Sequence, residues 1–194
     1  MNADGAKNRE MEEAFDKIDY RQSPLAKGEY EHRTFNNCDF SGSDLSGITF
    51  SECKFVGCNL SLARLTKTAF RDVAFQECKM LGLHFENCNQ FGFWVGFYDC
   101  TLTHSSLCKQ KLKKTIFRNS KLEGVDFTGS DLSSAVFDNC ELTGAIFEQT
   151  ILEKADFRAA FNYSIDLALN RVKKAKFTHT GIAGLLQKYD IEIS

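Results

Sequence analysis

The eight cysteines are the residues whose chemistry needs attention first in this chain of 194 amino acids. Cysteine thiols bind zinc, form disulfides or act as nucleophiles, and each role requires a characteristic spacing or neighbour. The sequence contains no C-x-x-C pair, and its four histidines (His32, His84, His104 and His179) are scattered and supply no clustered ligands. We therefore expect no metal site and no cofactor.

Serine and threonine are the other candidate nucleophiles, and they recur throughout the chain. None of them stands in a recognisable pairing with a base, as an activated hydroxyl requires. The chain also lacks a glycine-rich motif that could cradle a phosphate. The sequence therefore predicts a protein that is not an enzyme, with no catalytic residues.

The spacing of the cysteines instead indicates a repeat. Cys38, Cys58 and Cys78 are twenty residues apart, Cys100 follows after twenty-two, and Cys140 after a further forty. Counting in fives from Tyr30 to Phe85, and again from Leu102 to Phe157, finds a large apolar residue at all 24 positions. A helix would require a period near 3.6 and a strand a period of 2. A period of five therefore indicates a solenoid of repeated units.

Each five-residue unit has a large central residue, a small residue two positions earlier and often a polar residue between them. Segments such as "SDLSG", "VDFTG", "SDLSS" and "ADFRA" show this pattern clearly. The pattern resembles that of the pentapeptide-repeat family, and the resemblance covers about residues 30–182. The resemblance implies an all-β fold, a right-handed quadrilateral β-helix with four units in each coil.

A coil of twenty residues assigns the cysteines and phenylalanines to the core. Seven of the eight cysteines, all but Cys108, take the small inward position, where free cysteine acts as a small hydrophobe. Disulfides between coils are possible on distance alone, but a cytosolic setting keeps thiols reduced. Fourteen of the 18 phenylalanines take central positions.

The two ends of the chain are predicted to be caps. Residues 1–29 lack the repeat, and Met11, Ala14, Phe15 and Ile18 follow helical spacing, which predicts a short amphipathic helix over 8–19. The β-helix is expected to occupy 30–180. Residues 181–194, the C-terminal segment, are expected to form a capping or dimerisation helix.

The C-terminal segment places four apolar residues on one face of a helix: Ile182, Leu185, Leu186 and Tyr189. Such a face can cover the last coil or meet a second copy of the chain. It resembles the C-terminal helix of the quinolone-resistance (Qnr-type) members of the family, and that resemblance implies a homodimer formed through this helix.

Two extra residues interrupt the repeat in "NQFGFWVGF", residues 89–97. In one interpretation Phe93, Val95 and Phe97 continue to fill the core while the chain bulges. In the other, Phe91 and Trp94 project and contact a partner, since tryptophan is enriched in interface hot spots. The sequence leaves both interpretations open.

A basic strip is predicted beyond this bulge. Lys111, Lys113 and Lys114 surround Leu112, and the coil period places Lys154, Arg171, Lys173 and Lys174 on the same side, interrupted by Asp131 and Glu153. The strip could be an ordinary solvated surface or could attract an anionic partner.

The bulk composition argues against several classes of protein. The net charge of −2 predicts no direct binding to nucleic acid, the first twenty residues are too polar for a signal peptide, and no apolar run is long enough for a membrane span. We therefore expect a cytoplasmic protein.

Two functions remain open at the level of the sequence. The first is a non-catalytic protein-interaction scaffold with an unknown partner. The second, implied by the resemblance to Qnr-type proteins, is a DNA-mimicking dimer that binds DNA gyrase and protects it from quinolones or toxins.

Overall fold

The computed structural model describes residues 14–192, and its regular structure consists mainly of short strands. The strands are β1 (Ala14–Asp16), β2 (Glu29–Glu31), β3 (Thr34–Asn36), β4 (Thr49–Ser51), β5 (Lys54–Val56), β6 (Ala69–Arg71), β7 (Val73–Gln76), β8 (Val95–Tyr98), β9 (Ile116–Arg118) and β10 (Val136–Asp138). A single α-helical turn, α1 (Ala183–Leu186), and two 3-10 turns (Phe85–Asn87 and Gln187–Tyr189) complete the set among these residues.

All of these strands pair in parallel with the strand one coil away. The order β1-β3-β5-β7-β8-β9-β10 forms one sheet and β2-β4-β6 forms a second. Isolated parallel bridges, such as Asp39↔Asn59 and Asp44↔Arg64, connect the coils on the two remaining sides. The chain therefore winds as a four-sided β-helix, and the predicted fold class is confirmed.

The period of five correctly predicts the core. Of the 24 predicted central residues, 23 are buried, and Tyr30 is half-buried against them. On the side formed by the larger sheet, aromatic rings stack from Phe15 through Phe117 to Phe177 with centroids 4.6–5.6 Å apart. The narrow solenoid therefore has a continuous dry interior.

The predicted N-terminal helix is wrong over residues 14–19. Ala14–Asp16 forms strand β1, which pairs with β3, and the Phe15 ring stacks on Phe35 at 4.8 Å. Phe15, Tyr20 and Leu25 extend the five-residue series toward the N-terminus, so each stacks inside the solenoid, where a helix would bury only one face. Met11 and the rest of the predicted helix lie outside the described residues.

The small inward residues supply hydrogen-bond donors as well as volume. The thiol of Cys58 points at the carbonyl of Phe35 (3.2 Å), and that of Cys78 at the carbonyl of Phe55 (3.4 Å), each 23 residues earlier. The hydroxyl of Ser130 donates to Leu107 in the same way. Cysteine, serine and threonine thus give inward carbonyls of the preceding coil a side-chain hydrogen-bond donor.

The last coil is closed by polar and aromatic residues that leave the period of five. Asn162, which is the next position in the count of five after Phe157, lies outside at a positive φ of 59°, and Tyr163 is buried in its place. The side chain of Asn170 accepts from the amide of Thr150 and donates to the carbonyl of Phe147. The C-terminal edge of the coil is therefore hydrogen-bonded within the chain.

Candidate interaction surface

The extra residues of the predicted bulge lie between Asn89 and Trp94. The amide of Asn89 donates to the carbonyl of Thr68 (2.8 Å) and that of Trp94 to the carbonyl of Phe70 (3.0 Å). Residues 90–93 lie between these two hydrogen bonds and contain the two-residue insertion. Consequently Val73 pairs with Val95, a shift of twenty-two residues where other coils shift by twenty.

The turn of the bulge is built from local geometry. The side chain of Asn89 accepts from the amide of Phe91 (2.9 Å), and Gly92 follows in the left-handed region with a φ of 72°. Glycine adopts this conformation at little cost, so the chain can reverse within two residues. The reversal pushes the residue before Gly92 away from the core.

The bulge satisfies both interpretations of the sequence. Phe93, Val95 and Phe97 are buried, so the core continues through the interruption. At the same time Phe91 is 78% exposed and Trp94 is 49% exposed. Phe91 is more exposed than any other described large apolar side chain, and it rests on the guanidinium of Arg71, whose carbon lies 5.9 Å from the ring centroid.

Both aromatic residues lie on one side of the solenoid, which we name the bulge face. It comprises the outward side chains of residues 29–32, 49–52, 69–72, 91–94, 111–114, 131–134, 151–154 and 171–174. A shallow groove of about 600 Å³ runs beside Trp94 and is bordered by Glu52 and Asp72. Trp94 and Asp72 also line a smaller depression together with Lys114, so the tryptophan has an acidic and a basic residue beside it.

The predicted basic strip lies on the C-terminal half of this face. Lys111, Lys113 and Lys114 are all exposed one coil beyond the bulge. Lys113 forms an ion pair with Asp131 (3.3 Å), and Arg171 forms one with Glu153 (2.6 Å). Five lysines on this half make no ion pair among residues 14–192: Lys111, Lys114, Lys154, Lys173 and Lys174.

The N-terminal half of the bulge face carries acidic residues that sequence reasoning missed. Glu29 and Glu31 come from β2, and Glu52 and Asp72 occupy the next two turns of the same edge. The coil period of twenty residues, which stacks Glu52 on Asp72 and brings β2 beside them, was the signal that could have found them. The bulge face is therefore acidic at one end and basic at the other.

The expectation that no histidine joins a cluster is wrong for His32. Its ring lies 3.7 Å from Glu31 and 3.4 Å from Glu52, and donor atoms of the three residues lie within 4.8 Å of one another. The cluster forms because residues 32 and 52 are stacked corners of neighbouring coils. All three side chains are exposed.

Some of the described serine hydroxyls bond to acids at the corners of the coils. Ser41 donates to Asp39, and Ser133 donates to Asp131, in each case at 2.6 Å and across two residues. Such contacts stabilise the corners of the coils.

The predicted C-terminal helix is shorter than expected, and its four residues do not share one environment. Leu185 packs against the core and Leu186 is half-buried, whereas Ile182 is 41% and Tyr189 59% exposed. One turn of helix is too short to hold all four side chains on one face. Leu185 covers the last coil, and Ile182 and Tyr189 remain at the surface.

Burial raises the pKa of several inward thiols. The pKa rises to about 11 for Cys38 and to about 12 for Cys140, and burial also raises that of Cys88. All eight cysteines are free, and Cys108 is the one that is not buried. These three thiols are therefore held as neutral core groups.

No helix in residues 14–192 has both the length and the apolar character that a membrane crossing requires.

Comparison with known proteins places the repeat among described families. A family model for a pentapeptide repeat region matches residues 29–91, and one for pentapeptide repeats in eight copies matches 97–129 and 120–158. A search of curated proteins finds no match.

Solved structures of repeat proteins also resemble this chain. Full-length QnrB1, a plasmid-mediated fluoroquinolone resistance protein, is 20% identical, with 92% of this chain and 97% of that chain covered and a TM-score of 0.42. HetL, a pentapeptide repeat protein involved in heterocyst differentiation regulation in the cyanobacterium Nostoc sp. strain PCC 7120, is 16% identical, with 84% of each chain covered and a TM-score of 0.48. A pentapeptide repeat protein from the thylakoid lumen of Arabidopsis thaliana is 21% identical, with 60% of this chain and 66% of that chain covered and a TM-score of 0.31.

Proposed function

Because this chain belongs to the pentapeptide-repeat family, we propose that it works as a non-catalytic scaffold that binds a protein partner through its bulge face. The observation that carries this proposal is the exposure of Phe91 and Trp94 on the interrupted coil. Large aromatic residues on a rigid surface are typical anchors of protein interfaces. The irregular segments of repeat proteins are also common binding sites.

The architecture supports a binding role for the bulge. Backbone hydrogen bonds at Asn89 and Trp94 anchor both ends, so the aromatic residues are presented from a fixed base. A preformed contact loses little conformational freedom on binding. Lys111, Lys113 and Lys114 lie on the adjoining coil and can attract acidic groups on the rim of the partner.

A comparative capture experiment tests this proposal. The full-length parent, the Phe91→Ser/Trp94→Ser variant and the Leu62→Ser variant are each immobilised and compared for the proteins that they retain. Leu62→Ser is the control, because it removes a 72% exposed leucine from another side of the solenoid. We expect at least one protein to be retained by the parent and by Leu62→Ser, and lost from the double variant. Equal capture by all three proteins would contradict a binding role for the bulge.

The second candidate is the DNA-mimicking dimer that binds gyrase. DNA mimicry depends on unpaired acidic groups that imitate phosphates, and the sequence offers Asp126, Asp131 and Asp138. Asp131 lies 3.3 Å from Lys113, and Asp138 lies 3.0 Å from Arg118, so two of these charges are neutralised within the chain. The charge arrangement therefore favours the general scaffold.

A supercoiling assay with purified gyrase and ciprofloxacin distinguishes the two candidates. The scaffold proposal predicts no effect of the protein on supercoiling. Drug protection that is lost on charge reversal at Asp126, Asp131 and Asp138 would favour the gyrase-binding alternative. We place the protein in the cytoplasm, where its eight free thiols would stay reduced.

A further inference from the structure

The charges of the bulge face divide at the bulge. The N-terminal half carries Glu29, Glu31, Glu52 and Asp72, with Arg71 as the basic residue that supports Phe91. The C-terminal half carries the lysine strip, in which five lysines make no ion pair among the described residues. A surface with an acidic end, an aromatic centre and a basic end is complementary to itself when one copy is inverted.

We propose that the bulge face binds a second copy of this chain in antiparallel orientation. The twofold axis lies in the plane of the contact and passes between the bulge and the coil of Lys111–Lys114. This inference rests on the proposed function, because it names the partner of the same surface. It is separate from association through the C-terminal segment, which lies at the end of the solenoid.

This position of the axis brings opposite charges together along the face. Glu31 of one copy meets Lys173 of the other, and Glu52 meets Lys154. Glu29 meets Arg171, which also pairs with Glu153 of its own chain. Near the centre, Phe91 and Trp94 lie over the lysines of the opposing copy, where a cation and an aromatic ring attract one another. The twofold symmetry makes every contact twice.

Neighbouring registers are less favourable. Moving the axis by half a coil toward the N-terminus would place Arg71 against Lys113 and Glu31 against Glu153. Moving it by half a coil the other way would place Lys111, Lys113 and Lys114 against their own copies. Like charges that face one another at an interface oppose association. The charge pattern therefore selects one register.

The pairing cannot form within a single chain. Glu52 and Lys154 are separated by five stacked coils, which is about 24 Å at the ~4.8 Å spacing of neighbouring strands. This distance exceeds the screening length of about 8 Å at physiological ionic strength. An energetic coupling between these two residues would therefore report a contact between copies.

The experiment measures the self-association of charge-reversal variants, alone and in a mixture, by sedimentation equilibrium. Full-length protein carrying Ile182→Asp and Tyr189→Asp serves as the background, so that association through the C-terminal segment does not contribute. Glu52→Lys and Lys154→Glu are made separately in this background, and Glu123→Lys provides the same charge change on another side.

We expect the background protein to self-associate at 50 mM NaCl and to dissociate at 500 mM. Each single reversal should weaken self-association about tenfold or more, because the reversed side chain would face a like charge on the opposing copy. An equimolar mixture of the two variants should restore the affinity, since opposite charges face one another in the mixed dimer. Glu123→Lys should behave as the background.

Two outcomes would overturn the proposal. One is a background protein that stays monomeric at 50 mM NaCl, and the other is a mixture that associates no better than the single variants. Either result would leave the scaffold function standing if Phe91→Ser/Trp94→Ser still loses a captured protein. Failure in both experiments would refute both proposals.

Discussion

At the scale of single residues, the small inward position has two tasks. It must fit beside a large neighbour inside a narrow coil, and it must satisfy a carbonyl of the coil below. Cys58 and Ser130 meet both demands, because each is small and carries a donor that points at a carbonyl 23 residues earlier. This explains why cysteine alternates with serine and threonine in the repeat.

The burial of the thiols predicts their reactivity. At pH 8 in native buffer we expect a single thiol, Cys108, to react with a thiol reagent, because the other seven are buried. Burial, followed by the charge of Asp126, raises the pKa of Cys108 as well, so its reaction should be slow. All eight should react in denaturant. Rapid modification of several thiols in the native protein would contradict this packing.

The pair formed by Asp156 and Arg158 predicts a dependence of stability on pH. Arg158 donates to Asp156 at 2.7 Å and holds the pKa of that carboxyl at about 2, below its ordinary 3.8. The stabilisation is therefore complete above the unfolded pKa and is lost as the pH falls through about 2.

Urea unfolding of the parent and of Asp156→Asn measures this contribution. Because the arginine is well exposed, we expect a difference of only about 1 kcal/mol at pH 7. The difference should shrink between pH 4 and pH 2 as the parent carboxylate becomes protonated. A difference that stays constant down to pH 2 would show that the substitution acts through packing.

At the scale of elements, each strand is three or four residues long and is stable only as part of a stack. The stacked phenylalanine rings carry much of that cooperativity. Phe117 of β9, for example, stacks on Phe97 at 5.2 Å and on Phe137 at 4.9 Å, and it is completely buried. Its neighbours belong to two different coils, so its loss would weaken two interfaces.

We therefore expect Phe117→Ala to lower the free energy of unfolding by about 3–5 kcal/mol. Val136, on β10, is 36% exposed on the outer side of the same sheet, and Val136→Ala should change stability by less than about 1 kcal/mol. Thermal and chemical unfolding of both variants measures the contrast. Equal effects would contradict the assignment of inward and outward residues.

The individual strands also show which parts of the fold could be predicted from the sequence and which could not. The five-residue period correctly placed Phe117 and its stack, because inward direction repeats with every unit. It did not identify β1, because Ala14, Phe15 and Ile18 also satisfy helical spacing. The stacking of Phe15 on Phe35 decides between the two, and that contact depends on a residue one coil away.

At the scale of the whole molecule, the C-terminal end of the solenoid differs from its sides. The C-terminal end exposes Ile182 and Tyr189 beyond the half-buried Leu185, so the segment has a covering side and an outer side. We propose that the outer side forms the homodimer contact. The residues that cover the last coil should then affect folding, and the exposed residues should affect association.

This division predicts different results for two substitutions. At physiological salt and low protein concentration, Ile182→Asp/Tyr189→Asp should reduce the mass measured by light scattering toward that of a single chain. The melting temperature of this variant should be nearly unchanged. Leu185→Asp should lower the melting temperature, because it places a charge against the core. A double variant that keeps the mass of the parent would contradict the C-terminal dimer.

The sequence by itself determined the period and the inward residues, because a five-residue unit fixes side-chain direction without reference to distant residues. The four-sided coil was implied by the resemblance to the pentapeptide-repeat family. It also located the interruption before Phe97. Only the tertiary structure decided that Phe91 and Trp94 project while Phe93 stays buried, because both arrangements fit the same spacing. The basic half of the bulge face was predicted from the coil period, whereas its acidic half was recognised only in the structure, where residues twenty positions apart lie side by side in neighbouring coils.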